Sequence, residues 1–75
     1  MTLEELKAQA ADVAEALKTA PIVDGNLRKR FIDVRAHLYA RGIYDPVLVR
    51  FDSATVAPPP VSEIGEQLAL VAAAL

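Results

Sequence analysis

Three stretches of this chain repeat apolar residues at alternating steps of three and four, and that spacing decides what the chain can fold into. Leu3, Leu6, Ala10, Val13 and Leu17 form the first stripe, Leu27, Phe31, Val34 and Leu38 the second, and Val61, Ile64, Leu68, Val71 and Leu75 the third. A stripe of this kind runs along one side of an α-helix and buries against a neighbour packed nearly parallel to it. The fold class that follows is all-α: a small bundle of three main helices plus one short helix, forming a single domain over 1–75. A chain of 75 residues is short, and domains near this size bury only about 60% of the surface they expose when unfolded. With no Cys and one His, neither a disulfide framework nor a Cys/His metal site can staple so thin a core. Packing must hold the fold, and association between copies can complete it.

Local chemistry sets the boundaries. Thr2-Leu3-Glu4-Glu5 has capping-box spacing, and Pro21 cannot continue a helix, so the first helix is expected over 3–19. Ala8, Ala14 and Ala16 flank its stripe with little bulk, which lets another helix approach closely. Asp24-Gly25-Asn26 is turn chemistry, with Asn26 as the expected cap of a helix over 27–41. Gly42 supplies a left-handed stop, after which Ile43 can fold back on the last turn. Asp45-Pro46 reads as a cap followed by Pro at the first helical position, opening a short helix over 46–52 with Tyr44, Val47, Leu48 and Phe51 on one side. The run Val47-Leu48-Val49-Arg50-Phe51 is also rich enough in β-branched residues for a strand, but no second strand offers itself as a partner. Ala57-Pro58-Pro59-Pro60 must be extended, a stiff connector to a last helix over 62–75 capped by Ser62.

Two surfaces stand out as places where a partner could bind. Ile32 and Tyr39, seven residues apart, give the second helix an extra apolar strip, which suits a central position in the bundle or half of an interface. From Leu68 to Leu75 no polar residue occurs, so two turns are apolar on all sides, and three other short elements can hardly enclose them. Ile32, Tyr39, Leu70, Val71 and Leu75 are therefore the expected protein interface, in a homo-oligomer or with another protein.

The charge is uneven along the chain. Residues 1–26 set Lys7 and Lys18 against Glu4, Glu5, Asp12, Glu15 and Asp24, and residues 51–75 carry only Asp52, Glu63 and Glu66, so each flank is acidic by −3. Between them Arg28, Lys29, Arg30, Arg35, Arg41 and Arg50 outweigh Asp33 and Asp45 by +4. Arg28-Lys29-Arg30 would fall in the first turn of the second helix, where the helix dipole makes each cation unfavourable by up to about 1 kcal/mol. An acidic side chain from the first or last helix would offset this; so would an external anion such as nucleic-acid phosphate. Arg28, Lys29, Arg30, Arg35 and Arg41 are the anion-binding candidates of that alternative, although an isoelectric point near 5.2 weighs against it.

Chemistry-bearing motifs are scarce. His37 would have to meet Ser53 or Ser62 beside an Asp to make a hydrolytic triad, and no motif brings them together. Scattered carboxylates and one His supply no ligand pair at helical spacing, so neither metal nor other cofactor is expected. Gly25, Gly42 and Gly65 are too far apart for a phosphate-cradling loop. A DNA-reading helix at 47–52 would have only Arg50 as a base-capable cation. The N-terminal Met1-Thr2-Leu3-Glu4-Glu5 is acidic where a secretory signal would be basic, and no apolar run reaches about 18 residues, so a cytoplasmic location away from membranes is the expectation. The expected role is that of a non-catalytic interaction or assembly module.

Overall fold

The computed structural model describes residues 1–52 and 59–75, and within them the fold is all-α. Helix α1 spans Leu3–Thr19, α2 Gly25–Ala40, α3 Pro46–Val49, continued by a 3₁₀ turn at Arg50–Asp52, and α4 Val61–Ala74. The segment expected to be helix or strand at 46–52 is thus helical. Ser53, Ala57 and Pro58, to which the triad and stiff-connector readings refer, lie outside the described residues.

The helix ends follow their capping chemistry. At α1 the Thr2 hydroxyl accepts the Glu5 N–H at 3.1 Å. At α2 the cap is Asp24 instead of the expected Asn26: its carboxylate accepts the Leu27 N–H at 2.8 Å, which starts the helix two residues early at Gly25. The C-terminus of α2 closes as a Schellman motif. Gly42 is left-handed at φ 78, its N–H donates to the Tyr39 carbonyl, and the Ile43 N–H reaches the Leu38 carbonyl, both at 2.9 Å. Asp45 caps α3 through bonds from the Val47 and Leu48 N–H groups. Ser62 does not cap α4, because the helix already begins at Val61 and Pro60 stands at the cap position with no side-chain bond. The Pro60 carbonyl accepts the Glu63 and Ile64 N–H groups directly.

The three stripes meet in one apolar core. Leu6, Ala10, Val13, Ala14 and Leu17 of α1, Leu27, Phe31, Val34 and Leu38 of α2, Leu48 of α3, and Ile64, Leu68 and Ala72 of α4 are buried, and no polar residue is buried with them among the described residues. Leu3, placed in the first stripe by its spacing, is 43% exposed, being the first residue of α1 at the end of the stripe. The α4 stripe is also turned from its expected line: Gly65 and Ala72 are buried, while Val61, Val71 and Leu75 are half-buried. The cause is the close approach of α1. A Cβ built on Gly65 would lie 2.9 Å from the Ala14 carbonyl oxygen, 2.9 Å from the Lys18 Cγ and 3.1 Å from the Leu17 Cβ. Further along, Ala72 and Ala73 share a groove with Lys7 and Ala11, so α1 and α4 run antiparallel.

Candidate functional site

One side of α2 is met by the chain's own residues 44–52. Residues 28, 35 and 39 share one helical side, and each finds a partner between Tyr44 and Asp52. The Arg28 guanidinium lies 5.5 Å from the centre of the Phe51 ring. Arg35 grips Asp52 with two bonds, Nη1 to Oδ1 at 2.8 Å and Nη2 to Oδ2 at 3.0 Å, and donates from Nη1 to the Leu48 carbonyl at 3.0 Å. Tyr39 stacks on Tyr44 with ring centres 5.1 Å apart and planes inclined by 24°. Ile32, half-buried, packs against the core. Ile32 and Tyr39, both half-buried, thus each have contacts within the chain.

The cations divide in the same way. Because α2 starts at Gly25 under the Asp24 cap, Arg28-Lys29-Arg30 sits in the second turn and not the first, and the anion at the helix N-terminus is Asp24 itself. Arg35 is committed to Asp52. Arg41 reaches the Met1 carbonyl with a long 3.4 Å contact. Arg30 borders a shallow cleft between α1 and α2 with Gln9, Val13 and Asp33, and Lys29 is exposed. An anion-binding surface would therefore rest on Lys29, Arg30 and Arg41, with Arg28 partly engaged by Phe51.

The Arg35–Asp52 pair leaves an electrostatic trace. Hydrogen bonding from Arg35, ahead of its charge, holds the Asp52 carboxyl below the ordinary carboxylate range, and the same bond makes Arg35 harder to deprotonate. Asp52 thus binds a proton less readily folded than unfolded. Its contribution to stability is complete above the unfolded value, near 3.8, and is lost as the pH falls through the depressed folded value. Asp52→Asn should cost about 1 kcal/mol or less at neutral pH, since the pair is partly solvated. It should also flatten the fall in melting temperature below about pH 3.8; an unchanged acid slope in thermal melts would take the pair out of the stability account.

The apolar end of α4 is different. Leu70 is 65% exposed at the centre of the outer face, while Val71 and Leu75 are half-buried against the core. Val71 shares a side of the helix with Gln67, whose Nε2 donates to Asp45 Oδ2 at 2.6 Å and ties α4 to the α3 cap. On the other side of Leu70 a groove of about 290 Å³ lies between α1 and α4. Ala11, Ala14, Ala69, Ala72 and Ala73 floor it, and Lys7, Glu15 and Lys18 stand at its edges. Lys18 pairs with Glu15 at 3.3 Å, one turn away on the same helix. Sequence reasoning did not single out this groove, although Gly65, Ala69 and Ala73 recur at steps of four and are the signal of close helix approach.

His37 is exposed, and Ser62 lies exposed in the first turn of α4. Among the described residues no group of three or more His, Asp or Glu side chains is placed to hold a metal ion, and no helix is long and apolar enough to cross a membrane. Compared with protein-family models, curated proteins and solved structures, the chain matches none.

Proposed function

We propose that this chain is a small non-catalytic assembly module that works by self-association through the outer face of α4. The observation that carries this reading is Leu70, 65% exposed in the middle of a two-turn segment, 68–75, with no polar side chain. Ala73 and Ala74 are exposed beside it, so the face is apolar over its whole C-terminal half. Such a face is a hazard in water unless something covers it. Two other features favour association over recognition of a small molecule. The clefts are shallow and lie on the surface, and the side chains around the α4 groove are mainly alanine methyls, which offer area and close approach instead of directional bonding.

Light scattering on a sizing column, run over a hundredfold dilution with far-ultraviolet circular dichroism on the same samples, tests the reading. The expected result is a helical oligomer whose mass falls on dilution. Leu70→Asp, at a position that the core does not use, should leave the helix content intact and shift the protein to monomer. A helical monomer at every concentration would overturn the reading.

A further inference from the structure

We infer that the partner on this face is a second copy of the same chain, its α4 lying antiparallel across the first α4 about a twofold axis at Leu70, with Lys7 of each copy beside Glu66 of the other. The inference rests on the self-association reading and adds the arrangement. It starts from which residues share the outer face. Glu66, Leu70 and Ala73 lie at steps of four and three along the exposed side of α4, the spacing of a seam between two helices. The seam carries one large apolar side chain, Leu70, and small ones beyond it, so a pair in which each Leu70 meets its symmetry mate, with the alanines flanking them, removes both exposed leucines from water at once.

Charge then chooses the direction. Glu63 and Glu66 both lie toward the N-terminal end of the face, and its C-terminal end has no charged side chain. A parallel pair would bring Glu66 against Glu66 and Glu63 against Glu63, like charges face to face. An antiparallel pair centred on residue 70 sets Glu66 opposite residue 74 of the other copy. That is the end of the groove where Lys7 of α1 stands beside Ala72 and Ala73. Lys7 and Glu66 have no ion-pair partner among the described residues, and both are exposed. The antiparallel twofold gives each a partner of opposite sign, twice over. A twofold contact of this kind is self-complementary, since the same patch serves both copies.

Cysteine and charge-swap variants of the full chain test the arrangement. The chain has no Cys of its own, so Leu70→Cys should form a disulfide-linked dimer on mild oxidation, because residue 70 meets its mate on the axis. Glu63→Cys, more than a turn from the axis, should not cross-link. Lys7→Glu and Glu66→Lys should each weaken dimerisation by about tenfold at low salt, and the two together in one chain should restore it. Cross-linking through both cysteine positions would mean parallel helices and would overturn the arrangement. A dimer with no Leu70→Cys link and no charge-swap rescue would overturn it too, while leaving self-association standing. A monomer under all conditions would remove both.

Discussion

Phe31→Ala is expected to cost the fold about 3–5 kcal/mol and to lower its melting temperature sharply. Phe31 is fully buried, the largest side chain in the core, on the face of α2 that turns toward the other helices. Its ring centre lies 4.4 Å from that of Phe51, with the planes tilted by 44°, and the Arg35 guanidinium sits 5.6 Å from the same ring. Truncation would remove apolar contact with α1 and with the 3₁₀ turn together, and would leave a cavity that a small bundle of fixed crossings closes only in part. Losses of this type run to about 3–5 kcal/mol. A domain of this length has a total stability of roughly 4–11 kcal/mol at 0.05–0.15 kcal/mol per residue, so the loss is a large fraction of it and, at the low end, all of it. Phe31→Leu keeps most of the volume and should cost less than about 2 kcal/mol. Thermal melts followed by circular dichroism would check both, and a Phe31→Ala melt that coincides with the parent's would refute the place given to this ring in the core.

The elements themselves could be read from the sequence because each one announces itself through local chemistry. The three-and-four stripes, the Thr2 cap, the Asp45-Pro46 start and the Gly42 stop all act within four residues of where they stand. The errors lie where two local signals compete. Asp24 and Asn26 are both able caps, and the carboxylate two residues earlier won. That single shift moved Arg28-Lys29-Arg30 out of the first turn and removed much of the electrostatic reason for seeking an external anion there. Non-local pairings were the other blind spot. Nothing within α2 shows that Arg35 will take Asp52, seventeen positions on, or that Tyr39 will stack on Tyr44 around the Gly42 turn. An apolar strip on a helix says that cover is needed, not which element supplies it. For Ile32 the core supplies it and for Tyr39 the ring of Tyr44 does in part; Leu70 is left 65% exposed.

Gly65→Ala is expected to destabilise the protein by up to about 2 kcal/mol, against the rule that replacing a mid-helix glycine by alanine helps. The rule is sound for open sites, where alanine gains about 1 kcal/mol over glycine in a helix interior. Gly65 is not open. Its missing Cβ is what allows α4 to lie against the α1 backbone, and the added carbon would come within 2.9 Å of the Ala14 carbonyl oxygen and 3.1 Å of the Leu17 Cβ. The Lys18 Cγ, also at 2.9 Å, belongs to a flexible side chain and can move aside at small cost; the carbonyl belongs to a packed helix and cannot. Relief requires the two helices to separate along their contact, loosening Leu6, Ala10, Leu17, Ile64 and Leu68 together, and overpacking of this type costs about 1–3 kcal/mol. For a domain of this size a net loss of 1 kcal/mol lowers the melting temperature by about 4–8 °C. Gly65→Leu, which cannot be accommodated by a small separation, should prevent folding. Gly25 is the control: a Cβ there meets nothing within 4 Å, so Gly25→Ala should leave stability unchanged or raise it by up to about 1 kcal/mol. Neither glycine has a positive φ, so neither alanine strains the backbone, and opposite shifts in their melting temperatures would locate the α1–α4 contact at Gly65. Equal upward shifts would mean that the helices are not held this close. The same close contact floors the groove beside Leu70 with alanine methyls, so Gly65→Ala should also weaken self-association in any fraction that remains folded.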